Sequence, residues 1–442
     1  MSSEWELATV GAVSQVVTKG TTPTTVGYAF QASGVNFVKV EAIADDGHFL
    51  KGKLVAISPT AHHALARSQL QLDDVLFTIA GTIGRTAVVS GDLLPANTNQ
   101  AVAIVRPNIK RVKPRFLRYV LSNPAFRQQA LSRTVESVQA NFSLGELKSA
   151  SIRVPSLKEQ EAIVGILGSL DDRITLFRET NATLEAIAQA LFKSWFVDFD
   201  PVRAKRDGRP PEGMDEATAA LFPDSFEDSE LGEVPSGWDV RAIGDCVDTV
   251  GGATPDTKNA TFWSPEEFAW TTPKDLSGAT SPALIATERK LSAAGLAKIG
   301  SGLLPAGSLL MSSRAPIGYL AIADLPVAIN QGYIGMLPGG ALPPLYMLRW
   351  CQVHMEQIKG RANGSTFMEI SKKAFRPIPA VLPGKAVIAA YLAVAQPLFD
   401  RVIANERQAL SLTEIRDTLL PRLISGQLRL PEAAEPIEPA LA

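Results

Sequence analysis

Few segments of this sequence have the residue types and spacing of a chemical site, and the strongest is a candidate phosphate-binding loop. Gly47, Gly52 and Lys53 have the G-x4-G-K spacing of such a loop. Leu54 follows where magnesium binding needs Ser or Thr, and the next residues, VAIS, favour a strand where the loop requires a helix. The sequence therefore does not predict nucleotide binding at this position.

A second pattern, Asn123-Pro-Ala-Phe126, is close to the Asn-Pro-Pro-aromatic loop of amino-methyltransferases. Ala125 stands where that loop has its second proline, and the segment lies inside a stretch with helical spacing of apolar residues. No glycine-rich strand–turn–helix for a cofactor precedes it. A turn that interrupts a helix is therefore the favoured interpretation.

The remaining reactive residues form no recognisable site. The four histidines have neither an HExxH arrangement nor the order of a catalytic triad. Cys246 and Cys351 are too few and too far apart for a disulfide framework or a zinc knuckle. No cluster of carboxylates with lysine recurs in both halves, as a duplicated nuclease site would require. We predict no catalytic residue, no metal site and no cofactor bound by this chain.

The chain is organised instead as two copies of one design. Matching residues recur at separations between 228 and 234: Trp5 and Trp238, Thr22–Pro23 and Thr254–Pro255, Ile83–Gly84 and Ile317–Gly318, Asn99–Gln100 and Asn330–Gln331, Asp172–Arg173 and Asp400–Arg401. A period near 230 residues is too long for a solenoid repeat. It predicts two homologous domains, an arrangement that suits a target with two similar halves.

Charge is distributed unevenly along the 442 residues, of which 46% are hydrophobic and 20% charged. Residues 1–155 contain 16 Lys and Arg against 10 Asp and Glu, and residues 236–383 contain 13 against 11. Residues 156–200 contain 4 against 8, and residues 201–235 contain 4 against 9. Binding of a polyanion by the two halves and chance variation of surface charge both fit this distribution.

The sequence shows no signal for secretion or membrane insertion. The N-terminus, MSSEWEL, lacks a basic stretch followed by an apolar one. No apolar run approaches the roughly 18 to 20 residues that a membrane span needs. We therefore expect a cytoplasmic protein that does not associate with membranes.

Each half is predicted to be an α+β domain of short strands with one or two helices near its end. Residues 114–131 and 344–359 have helical spacing of apolar positions. The predicted strands are short and rich in β-branched residues: 35–40, 74–80, 85–90 and 101–106 in the first half, and 267–272, 308–313, 318–323 and 332–337 in the second.

Each half is followed by a long helix with an apolar seam. Ser156 and Glu159 form a capping box, and apolar residues then recur in steps of three and four to Trp195, with Asn181 at one position. At roughly 1.5 Å per residue this helix would extend about 55 Å. The second seam consists of Tyr391, Val394, Leu398, Val402, Ala409, Leu412, Leu419 and Leu423, with Asn405 as its polar member.

Pro397 and Pro421 are expected to kink or restart the second helix. We expect the two seams to pair with each other, antiparallel; the alternative is two amphipathic helices packed separately on their own domains. The predicted boundaries are 1–155 and 236–383 for the domains, 156–200 and 384–426 for the helices, 201–235 for a connector and 427–442 for a disordered tail.

Specific segments at the helix ends resemble the DNA specificity (S) subunits of type I restriction–modification systems. They are LFKSWFVDFDP (191–201), LLPRLISG (419–426), PSLKEQ (155–160) and the connector from LFPD (221–224) to PSGW (235–238). The resemblance covers essentially the whole chain. Val387 and Ile388 replace the Glu159–Gln160 pair at the start of the second helix, so the regularity of that helix start is open.

The resemblance implies a pseudo-twofold symmetric protein in which two target recognition domains are separated by an antiparallel coiled coil of the two helices. Each domain would recognise one half of an asymmetric, gapped sequence in double-stranded DNA. The helices would dock two adenine-N6 methyltransferase (M) subunits, and endonuclease–translocase (R) subunits can join such complexes. The S subunit itself is non-catalytic, so the methyl donor, ATP and magnesium are expected on the partner subunits.

Asn and Gln can bond adenine edges bidentately, and Arg or Lys can do the same for guanine, so polar residues near strand ends are the candidate DNA contacts. A structural turn whose amides satisfy backbone groups is the alternative for the two Asn–Gln pairs. Residues that differ between the copies, 137–141 against 365–369, are expected to carry specificity. The candidates are Lys19, Lys39, Arg85, Asn99, Gln100, Arg133 and Gln139, and Lys274, Arg314, Asn330, Gln331, Arg361 and Lys373.

The apolar helix ends are the candidate interface with partner subunits, because a large aromatic surface usually marks such an interface. Packing against the chain's own connector is the alternative. A duplicated protein-binding scaffold and a self-contained DNA-modifying enzyme are the competing functions. The candidate interface residues are Leu191, Phe192, Trp195 and Phe196 in the first helix, and Leu419, Leu420, Leu423 and Ile424 in the second.

Overall fold

The structure is a computed structural model that describes residues 5–132, 142–364 and 368–430. It divides into two compact units, Met1–Arg173 with Leu412–Ala442, and Ile174–Ser411. Each unit contains one mixed domain and part of both long helices. Some predicted features lie outside the described residues: Arg133, Gln139, the segment 137–141, residues 365–367 and the tail from 431 onwards.

The first domain contains two four-stranded sheets and a two-stranded ribbon. One sheet is antiparallel, in the order Ser14–Lys19, Val102–Pro107, Val75–Thr78 and Thr86–Val88. The other has the order Phe30–Gln31, Val55–Ile57, Val35–Val38 and Ala96–Thr98, and its last pair is parallel. Glu6–Thr9 pairs with Ser151–Val154 and brings the two ends of the domain together.

The helices of the first domain are short, and most of them begin at a proline or a capping serine. Ser58 and Ser143 each accept a hydrogen bond from a backbone N–H in the first turn, which satisfies a free donor there. The α-helices are Pro59–Ala64, Pro114–Ser122, Pro124–Ser132 and Leu144–Ser149, and the 3-10 turns are Pro23–Val26, Val40–Ala42, Lys51–Lys53, Ala66–Ser68 and Gly91–Leu93.

The second domain has the same plan with a larger principal sheet. That sheet has the order Thr249–Gly251, Tyr333–Met336, Leu309–Ser313, Ile317–Ala323 and Ala283–Leu284. A three-stranded sheet follows the order Arg289–Leu291, Phe268–Thr271 and Ala328–Ile329, and its last pair is parallel. The ribbons are Asp239–Ala242 with Pro379–Leu382, and Phe226–Ser229 with Gly232–Pro235.

Short helices connect these strands. The α-helices of the second domain and its connector are Asp200–Arg206, Glu216–Ala220, Ile243–Cys246, Pro273–Leu276, Ala293–Leu296, Pro344–Val353, Met355–Gly360 and Lys372–Phe375, with a 3-10 turn at Ala260–Phe262. The predicted helix 344–359 is therefore interrupted at His354, and its counterpart is interrupted at Asn123. This confirms a helix-breaking turn at the Asn123-Pro-Ala-Phe126 segment.

The two domains confirm the internal duplication strand by strand. Val75–Thr78 lies between Val102–Pro107 and Thr86–Val88, and Leu309–Ser313 lies between the equivalent strands of the second copy. The parallel pair of Val35–Val38 with Ala96–Thr98 recurs as Phe268–Thr271 with Ala328–Ile329. All eight strands expected from the sequence are present, within one or two residues at most ends. The fold class is α+β, with two homologous domains and two long helices.

The two long helices each contain 40 residues, Leu157–Phe196 and Lys385–Ile424. The capping box at the first start is confirmed: the Glu159 N–H donates to Ser156 Oγ at 3.3 Å, and the Ser156 N–H donates to Glu159 Oε2 at 3.0 Å. The second helix begins regularly despite its different sequence, since the N–H groups of Val387 and Ile388 both donate to the Gly384 carbonyl.

The helices pair antiparallel within each unit. In the first unit, Ile163 and Leu167 share one buried cluster with Leu420 and Leu423. In the second unit, Phe192 and Trp195 contact Tyr391. Asn181 contacts Asn405 and Phe192 contacts Tyr391, so within the second unit residue numbers rise along one helix as their partners' numbers fall along the other. This is the expected antiparallel pairing and not two separately packed helices.

A buried amide pair interrupts the apolar seam in the second unit. Asn405 Nδ2 donates to Asn181 Oδ1 at 2.8 Å, and Asn181 Nδ2 donates to Glu406 Oε1 at 2.9 Å. Both asparagines are buried, at 0% and 1% exposure. A polar pair inside an apolar seam sets the register of the two helices, because any shift would leave the amides without partners.

One position of the predicted second seam is wrong, and the helix does not restart at its prolines. It is continuous from Lys385 to Ile424 through Pro397 and Pro421, although each proline removes one helical hydrogen bond. Val394 is 47% exposed, and Ala395 and Phe399 are buried instead. The seam therefore follows a different set of positions near the helix start.

The second long helix also meets a length and composition criterion for a membrane span. Its most apolar window of 18 residues has a mean hydropathy of 1.5. This corrects the expectation that no segment has such a composition. The criterion is weak evidence, because a helix in the core of a folded domain satisfies it equally, and 33% of that window is buried in the structure.

Candidate nucleic-acid interface

In each domain the candidate interface is built around a loop that crosses the end of a strand. Gly20 in the first domain and Gly252 in the second allow this loop to pass very close to the neighbouring chain. A Cβ atom would lie 2.0 Å from the Thr98 carbonyl oxygen at Gly20 and 1.8 Å from the Ile329 carbonyl oxygen at Gly252. Only glycine fits at such an approach, so both copies place the following Thr–Pro segment at the same point.

In each Asn–Gln pair, the asparagine stabilises a turn and the glutamine lies at the surface. Asn99 Oδ1 accepts a hydrogen bond from the Ala101 N–H at 3.2 Å, and Asn330 Oδ1 accepts one from the Gly332 N–H at 2.9 Å. These are turn-stabilising bonds of the side chain to the backbone two residues ahead. A structural turn, the alternative to a DNA contact, therefore accounts for the side-chain oxygen of each asparagine. The glutamines are exposed to solvent.

Each glutamine is held by the threonine of the crossing loop. Thr254 Oγ1 donates to Gln331 Oε1 at 2.6 Å, and Thr22 Oγ1 donates to Gln100 Oε1. Both glutamines are exposed. Thr22 and Thr254 were absent from the predicted site; the recurrence of Thr–Pro in both copies was the signal that pointed to them.

A buried hydroxyl holds the Ile–Gly turns in both domains. Thr78 Oγ1 donates to the Thr82 carbonyl at 2.6 Å and accepts from the Arg85 N–H at 2.8 Å. Ser312 Oγ donates to the Pro316 carbonyl at 2.7 Å and accepts from the Tyr319 N–H at 2.8 Å. Each turn is thus fixed to the centre of its sheet by a bond that a purely apolar strand could not make.

The backbone conformation of the two Ile–Gly turns requires glycine. Gly84 and Gly318 have φ values of 93° and 107°, a region that residues with a Cβ rarely adopt. A Cβ would also lie 2.7 Å from Arg127 in the first domain and 2.7 Å from Met355 in the second. The recurring Ile–Gly pairs are therefore scaffold.

The predicted cationic residues of the first domain differ in whether their charged groups already contact other groups of the domain. Arg85 is committed to its own domain, since its guanidinium group donates to Asp45 at 3.0 Å and to the Ile43 carbonyl at 3.0 Å. Lys39 lies 4.3 Å from the centre of the Phe30 ring, a cation–π contact. Lys19 is exposed on the strand that leads into Gly20. Of these three, Lys19 is the most accessible to a polyanion.

In the second domain two of the predicted cations are paired and two are exposed. Lys274 Nζ lies 2.9 Å from a carboxylate oxygen of Glu288, and Arg314 lies 3.7 Å from one of Glu369. Arg361 and Lys373 are exposed. Exposed ion pairs contribute little to stability, so Lys274 can exchange its partner for a phosphate at small cost.

Sequence analysis missed an aromatic–cation group in the second domain. The Arg289 guanidinium carbon lies 3.5 Å from the centre of the Trp263 ring, and Trp263 packs edge-on against Trp270 at 5.1 Å. Trp263 Nε1 donates to the Asp256 carbonyl at 3.1 Å. The three residues have no equivalent pattern in the first copy and belong to different elements, so no sequence signal joined them.

Titratable side chains behind the interface are structural. Burial raises the pKa of Tyr333 above its usual range, and its hydroxyl donates to the Thr272 carbonyl at 2.6 Å. The phenol therefore stays a neutral donor that supports the strand after Gln331. Within residues 5–132, 142–364 and 368–430, no three His, Cys, Asp or Glu residues come together as a metal site.

The predicted partner interface at the end of the first helix is buried in the chain's own core. Phe192, Trp195 and Phe196 are exposed by 1%, 7% and 6%. Trp195 packs edge-on against Phe222 of the connector at 5.1 Å, and Phe196 lies 6.0 Å from Trp238. The expectation of an exposed aromatic surface is wrong here, because the connector folds back over it; Leu191 packs at its margin, partly buried.

The end of the second helix is enclosed in the same way in the first unit. Leu420, Leu423 and Ile424 are exposed by 6%, 1% and 5%, and Leu419 packs partly buried against them. Their cluster includes Trp5, whose Nε1 donates to Glu159 Oε1 at 3.2 Å. A partner that met these leucines would first have to displace the N-terminal strand region.

Comparison with known proteins agrees with this architecture. A family model described as the type I restriction modification DNA specificity domain matches residues 2–186 and 235–394, more than half of the chain. The specificity subunit of the HindI type I restriction enzyme from Haemophilus influenzae is 29% identical over 412 residues, covering 82% of this chain and 88% of that protein. The MjaIX specificity subunit from Methanocaldococcus jannaschii is 31% identical over 191 residues, 43% of this chain and 44% of that protein.

A solved structure shares the fold across nearly the whole length. The S subunit of a type I restriction–modification system from M. genitalium covers 96% of this chain and 97% of its own, with a TM-score of 0.51 and 15% identity. Together with the family match and the duplicated α+β domains, this identifies the protein. The chain belongs to the family of type I restriction–modification DNA specificity subunits, the non-catalytic components that recognise DNA sequence.

Proposed function

We propose that each domain recognises one half of an asymmetric, gapped sequence in double-stranded DNA, and that the long helices set the distance between the halves. The observation that carries this proposal is the duplicated site: the same glycine crossing, Asn turn and exposed Gln occur in both domains. The side chains around them differ, as Arg289 and Trp263 illustrate in the second domain. Two related readers with different surfaces suit two different half-sites.

The candidate DNA contacts remain those predicted from the sequence, but the structure changes which of them are free to reach DNA. Lys19, Arg361 and Lys373 are exposed and suited to DNA. Arg85 and the two asparagines serve mainly the scaffold. Specificity would then come chiefly from residues that the two copies do not share.

We further propose that two methyltransferase subunits dock on the long helices and that endonuclease–translocase subunits can join the complex. Support comes from apolar side chains that face outward from the paired helices in the second unit. Leu176 is 59% exposed, Ile187 48% and Leu410 41%. These three side chains are the candidate contact with a partner, since a partner that covered them would remove their apolar surface from water. The methyl donor, ATP and magnesium would be held by these partners, in the cytoplasm.

A domain exchange tests the division of labour. Residues 1–155 are replaced by the equivalent domain of a relative, and the methylated sequence is mapped by sequencing of the host genome. We expect one half of the methylated sequence to change and the other half to stay. A change in both halves together would contradict independent recognition.

A matched variant tests the role of the helices. Four residues are inserted into each long helix, which lengthens each by about 6 Å. We expect the unrecognised gap to change while both half-sites stay the same, since only the spacing between the domains is altered. An unchanged gap would show that the helices do not set it.

A further inference from the structure

The exposed threonine–glutamine pair is the most specific feature that the two domains share on their surfaces. In both copies the threonine hydroxyl is bonded to the glutamine Oε1, between residues that are 78 positions apart in the first domain and 77 in the second. The pair therefore depends on the tertiary fold in each domain and not on a local turn. Its recurrence shows that the same carboxamide orientation is produced twice.

The pair is not needed to hold the loop in place. The crossing loop is already fixed by backbone bonds, from the Thr21 N–H to the Thr98 carbonyl at 3.0 Å and from the Ala253 N–H to the Ile329 carbonyl at 3.1 Å. Asn99 and Asn330 stabilise the adjacent turns. A single exposed hydrogen bond adds about 1 kcal/mol or less to stability. Stabilisation of the loop alone therefore does not explain why a glutamine recurs at this position.

The orientation leaves one group available. Because Oε1 accepts from threonine, the Nε2 group is the part of each exposed glutamine that is left to donate. Neither Nε2 donates to any residue in the described part of the chain. Each domain therefore presents one neutral, preoriented NH2 group, with two N–H donors, at the same point of its surface.

A feature common to two domains that recognise different sequences should contact what the two half-sites have in common. Base edges differ between half-sites, whereas the sugar–phosphate backbone is the same in both. A bidentate bond to adenine would also need Oε1 to accept a second hydrogen bond, from the adenine amino group, beside the one that it accepts from threonine. A phosphate oxygen needs only a donor.

We propose that Gln100 and Gln331 each donate from Nε2 to a backbone phosphate oxygen and so seat the two domains identically on DNA, without choosing its sequence. This inference rests on the proposed function, because it assumes that each domain meets DNA through this face. Thr22 and Thr254 act as positioning residues that hold the carboxamides in the donating orientation. The exposed Lys19 ends the strand that enters the same loop and adds a positive charge to this domain.

The test uses the assembled complex with methyltransferase and measures its affinity for two duplexes, one with the methylated sequence and one with that sequence scrambled. Gln100→Leu and Gln331→Leu should each weaken binding to both duplexes by the same factor, about 10-fold or more, since hydrogen bonds to charged groups are strong. The dependence of affinity on salt should not change in slope, because the lost group is neutral. Thr22→Val and Thr254→Val should give smaller losses in the same direction.

Three further variants sharpen the result. Gln100→Glu should weaken binding to both duplexes more than Gln100→Leu, through repulsion of the phosphate. Lys19→Gln, by contrast, should reduce the salt slope by about one. Gln189→Leu, at an exposed position of the first long helix, is the matched control and should bind as the wild type does, with the melting temperature confirming that each variant is folded.

A loss confined to the methylated sequence would overturn the phosphate assignment, because the glutamine would then be contacting a base. Unchanged affinity in both single variants and in the double variant would overturn it as well and leave the pair as scaffold. A wild-type complex that binds both duplexes equally would instead contradict the proposed function, so the two failures are distinguishable.

Discussion

The two domains attach to the long helices through equivalent arginines but through different partners. Arg118 and Arg349 occupy matching positions in Pro114–Ser122 and Pro344–Val353, and both are buried. Arg118 donates to Asp171 at 2.7 Å. Arg349 makes a bidentate pair with Glu185, at 2.6 and 2.8 Å. Both carboxylates belong to the first helix, so a duplicated fold does not imply duplicated interactions.

The difference lies in how well each carboxylate is supported. Asp171 also accepts from the Tyr119 hydroxyl at 2.8 Å and from Arg416 at 3.0 Å. Among the described residues, the hydrogen bonds to Glu185 come from Arg349. The first domain is thus held to the first helix by a network of hydrogen bonds, and the second domain by one strong ion pair. This difference predicts that removal of the arginine destabilises the two domains by different amounts.

The largest expected effect follows from Arg349→Ala. It leaves Glu185, whose side chain is 12% exposed, without its cation, and breaking a buried pair in this way costs about 3–5 kcal/mol. Denaturant unfolding measures the loss, and hydrogen exchange in Pro344–Val353 locates it. Arg118→Ala should cost less, because Asp171 keeps two donors. An equal or larger loss for Arg118→Ala would contradict the comparison.

The second comparison concerns the helix ends that close each domain. Trp195→Ala should destabilise the second unit by about 3–5 kcal/mol, and Leu423→Ala the first unit by about 2–5 kcal/mol, since each empties a buried site. Hydrogen exchange should increase in the affected unit and remain at the wild-type rate in the other. Exchange that rises equally in both units would show that they do not unfold independently.

A smaller effect on stability, but a large one on assembly, is expected for Ile187→Asp. Ile187 is 48% exposed, so its replacement should change the free energy of unfolding by no more than about 0.5 kcal/mol. Co-purification with the methyltransferase should fall, because a charge would enter an apolar contact. Gln189→Asp, two residues along the same helix, is the charge-matched control. Full assembly of Ile187→Asp would show that the partner binds elsewhere.

The smallest expected effect is a difference between the two interrupted helices in how their stability depends on pH. Burial lowers the pKa of His354 below its ordinary 6.5, against the opposing effect of its bond to the Trp350 carbonyl. The unfolded chain therefore binds a proton that the folded one resists, and stability is lost as pH falls below about 6.5. Asn123 stands at the equivalent break in the first domain and does not titrate in this range.

His354→Asn should accordingly reduce the loss of second-unit stability between pH 6.5 and pH 5, measured by denaturant unfolding at each pH. The first unit, followed by hydrogen exchange in Pro114–Ser122, should respond to pH as in the wild type. An unchanged pH dependence of the second unit would show that His354 is protonated equally in the folded and unfolded states.

Much of the architecture was accessible from local patterns. The duplication, the eight strands and the Ser156–Glu159 cap depend on composition, periodicity and residues close in sequence, and all are present in the structure. The helix does not restart at Pro397, because the sequence shows the local cost of a proline but not the packing that offsets it. Val394 was misplaced because the same apolar sequence pattern allows the buried seam of a 40-residue helix to be shifted by one position.

The candidate site could be located from the sequence only as far as its recurring residues. Asn99–Gln100 and Asn330–Gln331 were recognised because they repeat, but their separate roles depend on which backbone and hydroxyl groups surround them. The group of Arg289, Trp263 and Trp270 was missed because its members meet only after the strands pair.

By itself the sequence determined a two-domain chain with long helices, since periodic apolar positions and an internal repeat are properties of the chain that do not depend on its contacts. Only the tertiary structure decided which side chains are available for binding. Trp195 and Leu423 have the chemistry of an interface, yet the connector and the N-terminal region cover them. Gln100 and Gln331 look like ordinary turn residues, yet a threonine brought from about 78 residues away orients them toward solvent. Burial and hydrogen-bond partners are set by non-local contacts, which spacing along the chain does not encode.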